Sequence, residues 1–484
     1  MYMKKGKKLK INNLDKIPEN LKATFVFAIA SFATSGINYI TTPIFTRILT
    51  TSEYGLISVY NSWFEIVRVF ASLTLIFPGI LNVGLYEHSN NRWKYLSSML
   101  GMTACSTVVL SLIYAMFYKK VNTFFELPMN AIILMLIMCF FQPATIFWTQ
   151  KQRYEIKYKS TFCVSVGTAV MAQIVSIIAV ICLKKYDYNM GIVRLWSAGI
   201  VNLCVAVFLY IYICRHGKKY VDGILWKSTL FVALPLIPHY LSTVVLSSID
   251  KIMISQMIDQ NKTGVYSLAA ILSAIGVLVW RALSVTYTPF VNSKLGERDF
   301  KAIREAVKPL LVVVALFCIL TALAAPEIIG ILATKEYYEG IYVVPPIAAG
   351  IYTTALYDNF TAISFFHKKS FNIMMATVIA AISNIIMNYV FIKQYGYIAA
   401  GYTTLASNLI LTALHYINSR KIEKEKVYDF KFCILSVAIV MVSCLLCNFI
   451  YDLKWIRYLL MLIIIALVLK LKNKLINAII LMKV

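Results

Sequence analysis

Two arginines stand where a cation has no ordinary partner. Arg68 lies in Ile66-Val67-Arg68-Val69-Phe70 and Arg281 in Val279-Trp280-Arg281-Ala282-Leu283, each inside an apolar run. A charge at the centre of a bilayer costs about 2.5–3.5 kcal/mol even on lenient scales, so an intramembrane arginine is a functional residue by default. Its planar fork matches phosphate oxygens bidentately and stays charged at any physiological pH. The chemistry of such a pair is attraction of an anionic substrate group into a hydrated, cationic lumen. Glu65, three residues before Arg68, shares its helix face and offers the alternative, an internal ion pair. Arg281 has no acid within one turn of its own helix.

Fewer groups accompany them. Asp358, in Tyr357-Asp358-Asn359, is expected to pair with Arg281 or to bind a coupling proton or sodium ion. His239 follows Pro235-Leu236-Ile237-Pro238; it is either a packed core histidine or a proton-linked contact. Pro235 and Pro238 break their helix, which a membrane tolerates beside a cavity, and make a candidate hinge. Arg47 and the pair Asp250-Lys251 are expected at the outer ends of spans one and seven, as interfacial anchors or an outer gate. Asn38, Asn82, Gln142, Gln173, Asn384 and Asn388 lie within spans, as glue between helices or as contacts to sugar hydroxyls. No P-loop, H-E-x-x-H or G-x-S-x-G occurs, and the acids are scattered rather than paired for glycosyl chemistry. Cys444 and Cys447 form a C-x-x-C inside an apolar helix, without a second pair. The expectation is therefore no catalysis, no cofactor and no metal.

Membrane helices must position these residues. The chain has 484 residues, 60% hydrophobic and 14% charged. Soluble domains carry about 25% charged residues, so a soluble enzyme, a disordered chain and a coiled coil are excluded. An all-α polytopic membrane protein remains, with about fourteen spans. Their centres fall near Ser31, Val69, Ser106, Met135, Val170, Leu203, Leu241, Ile275, Leu320, Thr354, Ile382, Ser407, Val440 and Ile463. The formal charge of +25 reads as basic cytoplasmic loops rather than as nucleic-acid binding. With the basic N-terminus inside, inside segments hold about 33 Lys and Arg and outside segments about 12. The richest inside loops are 151–159, 215–227, 294–308 and 420–431. Both termini are then cytoplasmic.

An internal echo organises the spans. Glu53-Tyr54-Gly55-Leu56 precedes Arg68 as Thr263-Gly264-Val265-Tyr266 precedes Arg281. Lys185 and Gly191 precede Asn202-Leu203 as Lys393 and Gly396 precede Asn408-Leu409. Six spans per copy give both copies one orientation, a parallel repeat with the substrate path between the halves. The division is 1–22 (basic N-terminus), 23–215 (first six-helix lobe), 216–228 (cytoplasmic linker), 229–418 (second lobe), 429–471 (an added helix pair) and 472–484 (cytoplasmic tail). In depth, counted from Gly264 and Gly55, Arg281 would lie about 26 Å and Arg68 about 20 Å from the outer ends of their helices.

Several stretches resemble one known family. Thr42-Pro43-Ile44-Phe45-Thr46-Arg47-Ile48-Leu49 is followed by Glu53-Tyr54-Gly55. Then come Leu234-Pro235-Leu236-Ile237-Pro238-His239-Tyr240-Leu241-Ser242, Asp250-Lys251-Ile252-Met253-Ile254 and Gly264-Val265-Tyr266-Ser267. In this order they resemble the Wzx-type polysaccharide-repeat flippases of the multidrug/oligosaccharidyl-lipid/polysaccharide (MOP) exporter superfamily. The resemblance implies a bacterial plasma-membrane protein that moves undecaprenyl-diphosphate-linked oligosaccharide to the outer face, for capsule or surface polysaccharide. It also implies partners in the polysaccharide polymerase and the chain-length machinery. The added helix pair would hold the lipid tail in hydrocarbon. The related lipid II flippases carry a further arginine in span one, and none stands between Lys22 and Arg47 here. A MATE-like cation exporter would want an acid in the first or seventh span, and span one of this chain has none. A membrane polymerase or ligase would want a large outside loop with its catalytic groups.

Overall fold

The computed structural model describes residues 19–482, and every regular element among them is helical. Nearly all of the basic N-terminal segment expected at 1–22 lies outside the described residues. Helix α1 (Glu19–Ile48) turns into α2 (Thr51–Ala71) through a capping box, in which Thr50 and Glu53 satisfy each other's backbone N–H. Beyond Ala71 the second span breaks. Leu73 and Thr74 take φ of 50° and 64°, a left-handed backbone that non-glycine residues rarely hold, and Pro78 opens α3 (Pro78–Glu87). The first half continues through α4 (Arg92–Phe125), α5 (Met129–Tyr154), α6 (Tyr158–Leu183) and α7 (Met190–Gly217).

The seventh span is also broken. Its first part, α8 (Gly223–Ala233), is capped by Asp222. It gives way at the 3-10 turn Leu234–Leu236 to α9 (Ile237–Met257), with Pro235 inside the turn and Pro238 in the first turn of α9. The expected linker 216–228 is therefore helical from Gly223 on. The two breaks touch: Thr74 Oγ1 donates to the Ala233 carbonyl at 3.3 Å, and Phe77 stacks on Tyr240 at 3.8 Å. The halves of this span pack differently. α8 lies on α3 and α4, where Trp226 Nε1 donates to the Ser98 carbonyl at 2.9 Å. α9 packs on the second lobe and on α2.

The second half comprises α10 (Gln260–Ser273), α11 (Ile275–Gly296), α12 (Phe300–Leu323), α13 (Ala325–Leu332), α14 (Val344–Phe366), α15 (Ser370–Tyr395) and α16 (Ala399–Ile422). The added pair is α17 (Phe430–Ile450) and α18 (Lys454–Leu481), so the expected tail from 472 is helical through 481. Both pack on α12. Arg457, 1% exposed, grips both carboxylate oxygens of Glu327 at 2.6 and 2.7 Å and fastens α18 to the second lobe.

Each expected span centre falls inside a helix. Ten helical stretches are long and apolar enough to cross a membrane by length and composition. Helices α1, α2, α16 and α18 fall short of that measure, so the count of fourteen stays an expectation.

The echo seen in sequence is a contact in space. A Cβ on Gly55 would lie 1.9 Å from the Gln260 carbonyl, and a Cβ on Gly264 would lie 2.1 Å from the Thr51 carbonyl. Each glycine thus meets the carbonyl four residues before the other, the signature of two equivalent helices crossing on a local two-fold. Only glycine allows backbones so close.

That crossing lies at one end of the molecule, where the lobes are bonded together. Thr46 donates to the Leu332 carbonyl at 2.5 Å and Arg47 to the Ile331 carbonyl at 2.8 Å. Thr51 donates to Asn261 Oδ1 at 2.9 Å, Ser255 to Glu126 at 2.5 Å and Gln256 to the Phe124 carbonyl at 2.6 Å. At the other end the four basic loops gather in two separate clusters. Arg92, Lys151 and Lys157 surround Glu155, with Lys94 and Lys219 on Asp222. On the second lobe Arg298 reaches Glu423 and Glu425, and Lys308 reaches Asp429. Among the described residues no ion pair links one cluster to the other. The molecule is sealed at one end; at the other, the split end, no ion pair among the described residues joins the lobes.

Candidate functional site

The two leading arginines stand in unlike settings. Arg68 leaves α2 three residues before its end, and its guanidinium binds Glu65 Oε2 at 2.6 Å. Their spacing of three residues puts the two side chains on one helix face. The remaining Nε donor of Arg68 is buried without a partner. Arg68 also edges a small crevice against Cys139, Gln142 and Pro143 of α5. Lys251, on α9 of the opposite lobe, is close enough to act electrostatically on Glu65. The seam between α2 and α9 thus gathers two cations and one acid.

Arg281, on α11, is exposed, and no acidic group lies within 4 Å of it among the described residues. Its helix buries the other side, where Gly276, Trp280, Tyr287 and Phe290 face the lobe core. Asp358, on α14, is its electrostatic neighbour. The expected ion pair is not formed, because Asp358 Oδ2 accepts Trp280 Nε1 at 2.8 Å instead. The acid is held beside the arginine by the residue preceding it.

His239, on α9 just past the proline joint, is partly buried, and its Nδ1 has no partner. It lies near His415 of α16, which is 1% exposed and stacks on Tyr357 at 5.5 Å. Arg281, Asp358, Tyr357, His415 and His239 therefore form one neighbourhood, all on the second lobe. Arg47 ends α1 at the sealed end and bridges the lobes through the Ile331 carbonyl.

The placement of Asp250 differs from the expectation. It does not close its span at the surface: α9 runs on to Met257, and Asp250 is 5% exposed. Three donors make this burial tolerable: Tyr266 OH at 2.6 Å, Asn388 Nδ2 at 2.7 Å and Thr404 Oγ1 at 2.6 Å. Asn388 bonds Asn384 at 3.2 Å, and Thr403 donates to Asn388. The outer-gate reading of Asp250 is replaced by a buried polar network inside the second lobe. Lys251, on the same turn, faces the seam rather than the surface. Asn384 and Asn388 were visible as polar residues within a span; nothing in the sequence joined them to Asp250. Of the other in-span amides, Asn82 bonds Gln150 at 2.7 Å and Asn38 bonds Gln173 at 2.9 Å as glue between helices, while Gln142 lines the crevice beside Arg68.

Two apolar grooves flank the lobes. One of 880 Å³ runs between α2, α6 and α7, lined by Leu56, Val175, Ile192 and Trp196. Another of 420 Å³ lies between α15 and α16 and includes Tyr402, whose hydroxyl accepts Asn448 of α17 at 3.1 Å.

Comparison with known proteins follows the same lines. The family described as "Polysaccharide biosynthesis protein" matches residues 20–294, more than half of the chain. The chain belongs to that family. The MatE family matches residues 235–390, within the second lobe. No curated protein matches the chain by sequence. Among solved structures, the lipid II flippase MurJ in an inward closed conformation is similar over 91% of this chain and 97% of its own. The TM-score is 0.64 and the identity 16%. A multidrug resistance MATE family transporter of the MOP superfamily, in an inward-facing conformation, is similar over 82% of this chain and 99% of its own. There the TM-score is 0.58 and the identity 12%. The likeness is one of fold, and the multi-pass helical architecture belongs to a chain from a family of polysaccharide biosynthesis.

Proposed function

We propose that this protein flips polyprenyl-diphosphate-linked oligosaccharide repeat units, undecaprenyl being the carrier, from the inner to the outer face of a bacterial plasma membrane. The product feeds capsule or surface polysaccharide assembly, with the polymerase and chain-length machinery downstream. The observation that carries this reading is Arg281, an exposed guanidinium in the middle of a long apolar helical stretch, with no ion-pair partner among the described residues. An anion is what such a lumen selects. The basic loops at the split end support putting that end in the cytoplasm and the sealed end outside, and on this reading substrate loads from the split end.

Loading brings the diphosphate to Arg281 and then to the Arg68–Glu65–Lys251 seam. The sugars follow in the wet path, and the lipid tail stays outside it. The groove beside Tyr402 and α17 fits a tail in place and polarity. An inside-negative potential of about 100 mV favours outward movement of an anion by about 2.3 kcal/mol per charge. The buried carboxylate of Asp250 has three neutral donors and no cation within 4 Å, and suits a coupling proton or sodium ion better than Asp358 does. The proline joint between α8 and α9 serves as the hinge, since its two sides pack on different lobes.

Depletion of the protein in its host tests the reading, with mass spectrometry of lipid extracts. Lipid-linked oligosaccharide accumulating on the inner face is expected. Unchanged lipid-linked pools with normal surface glycan would refute the reading.

A further inference from the structure

The sealed end holds a third arginine within a span, one that the loading path above does not use. Arg194 stands on α7 four residues after Met190, about 6 Å from the helix start at about 1.5 Å per residue. Its guanidinium carbon sits 3.6 Å from the centre of the Phe45 ring and 5.8 Å from that of Tyr54. Its electrostatic neighbours are Tyr54 and Tyr337 rather than acids. Among the described residues it makes no ion pair.

Tyr337 comes from the opposite lobe, on the 3-10 stretch Lys335–Val343. It meets Tyr54 edge-on at 6.0 Å, is 0% exposed, and its hydroxyl has no hydrogen-bond partner. The half-buried guanidinium of Arg194 and the buried, unpartnered hydroxyl of Tyr337 thus converge between the lobes. A ring face attracts a cation but offers no acceptor oxygen. The nearest acids are spoken for or peripheral. Glu53 accepts the backbone N–H groups of Thr50 and Met190, and Glu336 lies beyond Tyr337. Helices α2, α7 and α10 all begin at this end, and their N-termini add positive potential. An acceptor-only ligand, a phosphoryl oxyanion, is what the arrangement lacks.

We propose that Arg194, with Tyr54 and Tyr337, is the release station for the substrate's diphosphate, uncovered when the Lys335–Val343 stretch withdraws from α2. The inference rests on the flippase reading. The three arginines then form a series from the split end to the sealed end. Arg281 is 21 residues from the start of α10 and Arg68 is 17 from the start of α2, about 32 and 26 Å deep, against about 6 Å for Arg194. The anion crosses most of the membrane between Arg68 and Arg194, so the last station acts only after the seal opens.

The test uses purified full-length protein in vesicles and a fluorescent short-chain polyprenyl diphosphate sugar as probe. Binding from the basic-loop side and transport are measured separately for wild type, Arg194→Ala, Arg194→Lys, Tyr337→Phe and Arg281→Ala. Arg194→Ala is expected to load within about twofold of wild type and to lose transport about tenfold or more, while Arg281→Ala fails at loading. Arg194→Lys should fall between, keeping charge but losing the fork. Wild-type transport in Arg194→Ala overturns the proposal, as does loss of loading equal to that of Arg281→Ala. Should Arg194→Ala not fold, wild-type transport in both Arg194→Lys and Tyr337→Phe overturns it. Vesicles with and without phosphatidylglycerol separate the sources of phosphate. A defect seen only with that lipid assigns the site to a headgroup and refutes the release role. A wild-type protein that moves no diphosphate probe refutes the underlying reading instead.

Discussion

The two ends of the molecule are held by opposite means. At the sealed end the lobes touch each other, backbone to backbone at Gly55 and Gly264, and through single hydrogen bonds from Thr46, Thr51, Ser255 and Gln256. At the split end each lobe binds only itself, through ion pairs around Glu155, Asp222, Glu425 and Asp429. The difference matters for a moving protein. A hydrogen bond contributes about 0.5–1.5 kcal/mol net, so the few across the seal amount to several kcal/mol, within reach of a substrate's differential binding. The charges at the split end never have to part when the lobes separate. They stiffen each lobe as a body, and the seal, held by hydrogen bonds with no ion pair across it among the described residues, is what the cycle makes and breaks.

The largest effect is expected where the seal is tightest. Replacing Gly264 by valine puts carbon into space held by the Thr51 carbonyl, 2.1 Å from the first added atom. The backbones must separate, and the sealed end should leak or fail to close. Cysteines placed at Gln256 and Phe124 should crosslink readily in the parent protein and poorly in the variant, with export lost. Efficient crosslinking in Gly264→Val would show that the glycine contact does not set the closure. Gly55→Val should behave alike, because the contact is reciprocal.

The next effect is expected on the other side of the comparison, in the loading path. Arg281→Ala should abolish export at normal protein levels, and Arg281→Lys should keep part of it, since charge persists and the bidentate fork is lost. Arg68→Ala should be milder than Arg281→Ala in the loading assay, because Glu65 already occupies the Arg68 guanidinium at 2.6 Å. Equal loss at both positions would mean that the ion pair opens fully on loading. Export by Arg281→Ala at the parental rate would remove the anionic-lumen account.

Much of this layout is legible in the residues. Apolar runs and basic loops place the helices and sort the ends, and the prolines at 235 and 238 mark the break in span seven. Glu65 and Arg68 are a pair by spacing alone. The break of span two had a signal too, in Pro78-Gly79, which the apolar run around Leu73–Phe77 masks. Asp250 was not legible. Its partners Asn388 and Thr404 are 138 and 154 residues away, and only the packing of α9 on α15 and α16 brings them together. Arg194 counts in sequence as one more basic residue near an outer turn. Its ring partners Phe45 and Tyr54 sit on two other helices.

The smallest effect belongs to the split end and is one of stability. Glu155 follows the last residue of α5 and collects Lys151 at 2.6 Å, Lys157 at 2.9 Å and Arg92 at 3.3 Å. Burial alone would raise its pKa, but hydrogen bonds from Lys151 and Lys157, together with their charges, bring it down to about 2. A carboxyl whose folded pKa is depressed stabilises the fold above its unfolded pKa. That contribution is lost as pH falls through the folded value. Glu155→Gln should therefore lower the thermal midpoint at neutral pH by a small amount, on the order of 1 kcal/mol or less for a partly exposed cluster. The gap between parent and variant should hold down to about pH 4.5, narrow below it and close near pH 2. The measurement is a series of thermal melts in detergent across that range. Transport should stay close to parental, because these charges bind within one lobe and do not bridge the two. A strong transport defect with an unchanged melt would mean that Glu155 touches the moving surface after all, and the division between a rigid ion-paired end and a mobile hydrogen-bonded end would fail.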